Sequence, residues 1–219
     1  MKSILLAALL MSASTAAQAV IVTSALGAPD PGPAANQTLI VDFEGPAPGV
    51  VLSGSYTIAT GLLPGLRAPP AGDTSNYFAV PGVNSEVPNR ARIDFTNYIA
   101  TNRAIRSLSF YWGSIDSYNT LEVLGRSNRV LRTITGNDIN NPANGNQSDP
   151  FSNQRVFLKF LPTEQFRALR ITSTGRAFEL DDIAVSTVPE PQSWALLLAG
   201  FGMVGYAVRR RRHLASVAA

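Results

Sequence analysis

The side chains of this 219-residue sequence that are equipped for chemistry are its carboxylates. There is one histidine, His213, close to the C-terminus, and no cysteine. Residues 1–212 therefore supply no imidazole base, no imidazole or thiolate metal ligand, and no Ser-His or Cys-His nucleophile. What remains is carboxylate chemistry, in which two acids about 5–9.5 Å apart flank a glycosidic bond. Glu44, Glu86, Glu122, Glu164 and Glu179 are available. The sequence pairs no two of them, so a glycan-cleaving enzyme stays an alternative and no catalytic residue is assigned.

Binding has more to work with. Asp42-Phe43-Glu44 stands near the start of the central region and Glu179-Leu180-Asp181-Asp182 near its end. First and last strands are often neighbours in jelly rolls, which would gather several carboxylate oxygens. Calcium takes about six to eight oxygen ligands, and a structural calcium shared by Glu44 and Asp182 is one expectation. The competing reading has these acids facing solvent or pairing with arginine. A second dense patch is YWGSIDSYNT, Tyr111 to Thr120. Trp112, Asp116, Tyr118 and Asn119 offer the aromatic face, carboxylate and amide that hold a sugar. Strand alternation puts Trp112 on the face of Leu108 and Phe110, so the opposing reading is a core tryptophan beside a hairpin turn.

The elements that must position these residues are strands. Runs rich in β-branched and aromatic residues fall at 38–43, 55–59, 76–80, 91–95, 105–112, 120–124, 129–135, 155–160, 166–172 and 178–185. Gly, Pro, Asn and Asp separate them, and no helical period of useful length appears. Ten short strands at this spacing predict an all-β chain: a single jelly-roll-like β-sandwich over residues 38–186. About 150 residues bury a sufficient core without disulfides. APDPGPAA, residues 28–35, cannot join a helix or a central strand, so 20–37 is expected to be an extended proline-rich leader. Residues 162–165 suit one helical turn. The polar stretch 136–154 is the one long connection, either functional or a mobile excursion.

The two ends carry addresses. MKSILLAALLMSASTAAQA has a basic residue, an apolar core and Ala17-Gln18-Ala19, which predicts a signal peptide over 1–19 and a mature start at Val20. Between 20 and 188 there are 13 Lys and Arg against 14 Asp and Glu, a net of −1. The computed pI of about 9.5 therefore belongs to the ends, and nucleic acid is not an expected partner. At the other end stand Pro189-Glu190-Pro191, then Trp194-Ala195, then Arg209 to Arg212. Gln192 to Val208 are uncharged, and a helix over about 192–208 would reach roughly 25 Å, near the lower limit for a bilayer span. The arginines stay cytoplasmic by the positive-inside rule, which places the prolines outside, extended and open to a protease. Gly200, Gly202 and Gly205 loosen the span by about 1 kcal/mol each relative to alanine. These are features of a handle to be cut.

This tail, residues 187–219, resembles the PEP-CTERM sorting domain of Gram-negative bacteria in its tryptophan-alanine variant. The resemblance covers Pro189, Glu190, Pro191, Trp194, Ala195, Gly200 to Gly202 and Arg209, Arg210, Arg211 and Arg212. It departs in the extra residues from His213 to Ala219. It implies a membrane protease, exosortase, as partner, transient anchoring in the inner membrane, and release to the cell surface or beyond in company with exopolysaccharide and biofilm. More faintly, WGSIDSYNTL is similar to a segment of exported domains with this tail, and FELDDIAV to the last strand of carbohydrate-binding-like sandwiches. The expectation is an exported, non-enzymatic surface or matrix protein. The alternatives are a protein-binding adhesin and the carboxylate enzyme.

Overall fold

The computed structural model describes residues 20–82, 85–102, 104–187 and 197–206. Strand β1 (Val20–Leu26) is followed by β2 (Thr38–Val41), β3 (Val51–Gly54), β4 (Thr57–Thr60) and β5 (Asn76–Val80). β6 (Asn89–Asp94) leads through a short helix, α1 (Thr96–Asn102), to β7 (Ile105–Gly113) and β8 (Asn119–Leu124). β9 (Val130–Thr135), the one-turn α2 (Gly136–Ile139), β10 (Gln154–Phe160), β11 (Ala168–Ser173) and β12 (Phe178–Thr187) complete the body.

These strands form two antiparallel sheets. Sheet A runs β1-β10-β7-β12-β5-β4, with β2 also on β12, and sheet B runs β3-β6-β11-β8-β9. From β5 onward the chain alternates between the sheets except at the β8–β9 hairpin within sheet B, a winding like that of a jelly roll. The pattern of side chains dictates which face is buried. In β7, Leu108, Phe110 and Trp112 enter the core, while Ser107, Ser109 and Tyr111 point to the outer face. In β12 the core residues are Phe178, Leu180, Ile183 and Val185. That spacing needs one extra residue after Leu180, and Asp182, at φ +52°, supplies the bulge that returns Ile183 to the core.

Two expectations are corrected here. Residues 20–37 are not a leader outside the sandwich, because β1 pairs with β10 from Val20↔Phe160 to Leu26↔Gln154 and Val20 is a core residue. Residues 162–165 form a turn closed by the Glu164 N–H on the Leu161 carbonyl at 3.0 Å, with no helix. The long 136–153 connection is tied down by its own asparagines. Asn153, fully buried, donates from Nδ2 to the carbonyls of Asn146 and Asp149 at 3.1 and 2.9 Å.

The sandwich has two unlike ends. β7 to β8, β9 to β10, β5 to β6 and β11 to β12 connect at the far end. β6 to β7, β8 to β9 and β10 to β11 connect at the other, where β1 begins and β12 stops at Thr187. The latter is the tail end below. The C-terminal unit, from Thr187 on, contains a helix over 197–206 with mostly exposed residues. Among the described residues no helix is long and apolar enough to cross a membrane. The signal peptide expected over 1–19, Pro189 to Ala195 and Arg209 to Arg212 lie outside the described residues, as do both ends of the helix expected over 192–208.

Candidate functional site

The predicted sugar patch does not form. Trp112 is fully buried and stacks on Phe178 at 4.4 Å between centroids, so it presents no face to a ligand. Asn119 is also fully buried, donating to the Ala177 carbonyl at 3.2 Å and accepting from Ser173 Oγ at 3.0 Å. The Tyr118 hydroxyl donates to the Arg176 carbonyl at 2.6 Å, and burial raises its pKa. Asp116 is half-buried, and its carboxyl is likewise raised by burial. Alternation along β7 wins over the sugar-like composition.

The acids are committed elsewhere too. Both oxygens of Glu44 accept from Asn76, at 2.6 Å from the amide N–H and 3.0 Å from Nδ2. The main-chain carbonyl of Asp182 accepts from Arg155, while burial raises the pKa of its carboxyl. Among the described residues no three His, Cys, Asp or Glu side chains stand as a metal-holding group. Glu122 forms a two-pronged ion pair with Arg170 at 2.5 and 2.6 Å, which holds its carboxyl below the usual range. Glu164 and Glu179 are buried, each accepting a backbone N–H. The grooves of about 430, 370 and 310 Å³ are lined without any carboxylate.

What the sequence does not announce is the outer face of sheet A. Its far half lies under two straps, residues 27–37 and 61–75. Arg155, with no exposed surface, reaches Asp30 of the first strap, Ser109 Oγ at 3.2 Å and the Asp182 carbonyl at 2.6 Å. The Tyr111 hydroxyl accepts from the Ala28 N–H at 2.9 Å and donates to the Ala71 carbonyl at 2.7 Å, joining both straps. Glu179 Oε1 accepts the Ala68 N–H at 3.1 Å, while Oε2 is buried without a partner. Burial pushes the Glu179 carboxyl up to about 8, against the pull of the Ala68 N–H. Burial, then Asp73, pushes Asp181 up to about 9. Both are neutral acids at pH 7.

The other half of the same face is open. It forms a groove of about 430 Å³ floored by Thr23 and Phe157, with Ile21, Lys159 and Arg106 at its tail end. One wall is a preset polar ladder. Ser109 Oγ donates to Gln37 Oε1 at 2.7 Å, Gln37 Nε2 donates to Ser107 Oγ at 3.0 Å, and Ser107 and Ser186 hydroxyls bond at 2.7 Å. Half-buried Phe157 offers a ring beside these hydroxyls and amides, the combination that binds a sugar by its apolar face and its rim. The available signal was in β10. Val156, Leu158 and Phe160 take the core, which leaves the aromatic Phe157 on the polar face with Arg155 and Lys159.

A PEP-CTERM protein-sorting motif matches residues 187–212, beginning where β12 ends, and the chain is a protein carrying that sorting domain. Among solved structures, a xylan-binding domain of carbohydrate-binding module family 22 is 16% identical, covering 71% of this chain and 97% of its own, with a TM-score of 0.39. A C-terminal family 22 carbohydrate-binding module from Clostridium thermocellum is 17% identical with the same coverage and TM-score. A module described as CBM32 from Clostridium perfringens is 12% identical over 67% of this chain and 99% of that one, at a TM-score of 0.33. No curated protein matches the sequence.

Proposed function

We propose that this is an exported surface or matrix protein that is cut by an exosortase-type membrane protease and associates with extracellular polysaccharide without cleaving it. The observation that carries the reading is the sorting motif at 187–212, placed directly after the last strand of a sandwich. On this reading the cut falls in the motif, beyond β12 in the sequence, so one cut would release the body whole. The polysaccharide part is supported by the open groove with Phe157, Gln37 and Ser107. The non-catalytic part is supported by what the carboxylates do: Glu122 is neutralised by Arg170, Glu44 is engaged by Asn76, and Glu179 is buried as the neutral acid.

Mass spectrometry of the protein recovered from the cell surface tests the sorting part. It is expected to show a chain starting near Val20 and ending near Pro189. An intact C-terminus on the released protein would overturn it. Retention of the released protein on the producing cell's own polysaccharide, lost in Phe157→Ala, tests the binding part. Equal retention by wild type and variant would remove the groove from the account.

A further inference from the structure

The tail end of the sandwich is basic, and the far end is acidic. Glu86, Asp116, Asp138 and Asp149 belong to far-end connections, against Arg176 in the β11–β12 connection. At the tail end the hairpin β8–β9, the start of α1 and the approach to β11 enclose a pocket of about 370 Å³. It is lined by Arg92, Thr96, Arg126, Ser127, Asn128 and Arg167. Arg92 is spoken for: it holds Asp94 through Nε and Nη2 at 3.0 and 2.7 Å, and donates from Nη1 to Asn128 Oδ1 at 2.9 Å. Arg126 and Arg167 have no carboxylate partner among the described residues, and the Arg167 guanidinium donates to the Phe166 carbonyl at 3.2 Å. Glu164, the other acid of this end, is buried and engaged with the Leu161 N–H at 2.7 Å.

Ser127 and Asn128 stand in succession at φ +54° and +60°, the left-handed region that asparagine adopts readily and serine less often. Asn128 at this turn accepts from Arg92, and Arg126 and Arg167 line the concave surface with no carboxylate partner among the described residues. Arg106 and Lys159 lie at the same end on the sheet A side. Exposed aliphatic residues are interspersed with them, Ile21 at 50%, Val130 at 42% and Leu161 at 42%.

We propose that this end docks on an anionic phospholipid surface, with a headgroup phosphate held between Arg126 and Arg167. The inference rests on the sorting reading above, because it needs the tail in a membrane. Three observations favour a lipid surface over a free acidic glycan. β12 delivers the chain to the sorting motif from this end. From Thr187 to Trp194 is seven residues, a chain reach of at most about 25 Å. Cations mixed with exposed aliphatic side chains also suit a headgroup layer. A tether that short makes even weak docking count, since binding becomes intramolecular. Docking would fix the body while the Pro-Glu-Pro segment waits for its protease.

Full-length chain incorporated into nanodiscs tests this, with hydrogen exchange followed at the amides of 125–130 and 163–168. Because each cation at an anionic surface is worth about fivefold in binding, these amides are expected to exchange at least tenfold more slowly in discs about one-third phosphatidylglycerol than in neutral phosphatidylcholine discs. Salt should erase the difference, and so should Arg126→Gln with Arg167→Gln. Wild-type chain alone decides the matter if the variant misfolds. Equal exchange in both lipids overturns the docking and leaves the sorting reading intact. Failure to enter the discs sinks both. Protection by soluble polyuronate on neutral discs, without protection by phosphatidylglycerol, would make the pocket a glycan site and also overturn the proposal.

Discussion

The two halves of the outer face of sheet A start from the same kind of sequence and end in opposite states. Both come from strands that alternate core residues with polar ones. In the far half, Arg155, Tyr111, Glu179 and Asp181 are sealed beneath two loops; in the half toward the tail, Phe157, Lys159, Ser107 and Ser186 meet solvent or line an open groove. The difference lies in what passes overhead. A polar group under a loop must be satisfied by that loop, because a buried polar atom without a partner costs about 1–3 kcal/mol. The sealed half is therefore a structural layer whose side chains are spent on each other and on the straps. The open half keeps its donors and its one ring for something outside.

The sharpest way to break the comparison is Arg155→Ala. It strands Asp30 and the Asp182 carbonyl and is expected to cost about 3–5 kcal/mol, as removal of one partner from a buried ion pair does. A melting temperature near wild type would show that the layer is ornamental.

Next comes pH. Glu179 and Asp181 have folded pKa values of about 8 and about 9, raised from 4.5 and 3.8. An acid raised on folding keeps a proton that the unfolded chain has lost, so stability is greatest in acid. The contribution of these two groups declines as pH climbs from about 4 toward 8 or 9. Thermal melts from pH 5 to 9 are expected to fall steadily. Glu179→Gln should flatten that fall, and an unchanged slope would show that Glu179 is not the neutral acid described.

Tyr111→Phe removes the hydroxyl that both straps share and is expected to cost about 1–2 kcal/mol in denaturant unfolding. It should also speed exchange of the Ala28 and Asp73 amides, the second because Asp73 bonds to the Pro70 carbonyl inside the same strap. The smallest effect on stability belongs to the open half. Phe157→Ala should cost less than about 1.5 kcal/mol, at the low end for a phenylalanine because the ring is only half buried. If its cost matched that of Arg155→Ala, the two halves would be one structural layer.

Much of this fold was legible from side-chain periodicity. Ten of the twelve strands show as short β-branched and aromatic runs, and Leu108, Phe110 and Trp112 read correctly as one buried face. β1 was missed because the prolines after it gave the whole segment the look of a spacer, although VIVTSAL is itself a β-branched run. β3 has only four residues, too few for a period. The strapped layer was invisible for a different reason. Asp30 and Arg155 are 125 residues apart, and Ala68 and Glu179 are 111 apart. Nothing local marks such pairs, and nothing local says that an acid in a strand will be covered and stay protonated. Composition also misled at Trp112, Asp116, Tyr118 and Asn119, where sugar-binding residue types turned out to be core and turn residues.

One consequence follows from where β12 lies. Though last in sequence, it occupies the middle of sheet A, with β7 on one side and β5 and β2 on the other. Until it arrives, sheet A exists only as β1-β10-β7 and β5-β4, unjoined, with β2 lacking its partner strand. A chain threaded outward from its N-terminus would stay pliable through most of its passage and lock only when the residues just ahead of the sorting motif emerge. Maturation of the body and presentation of the cut site would then coincide, by order of arrival alone.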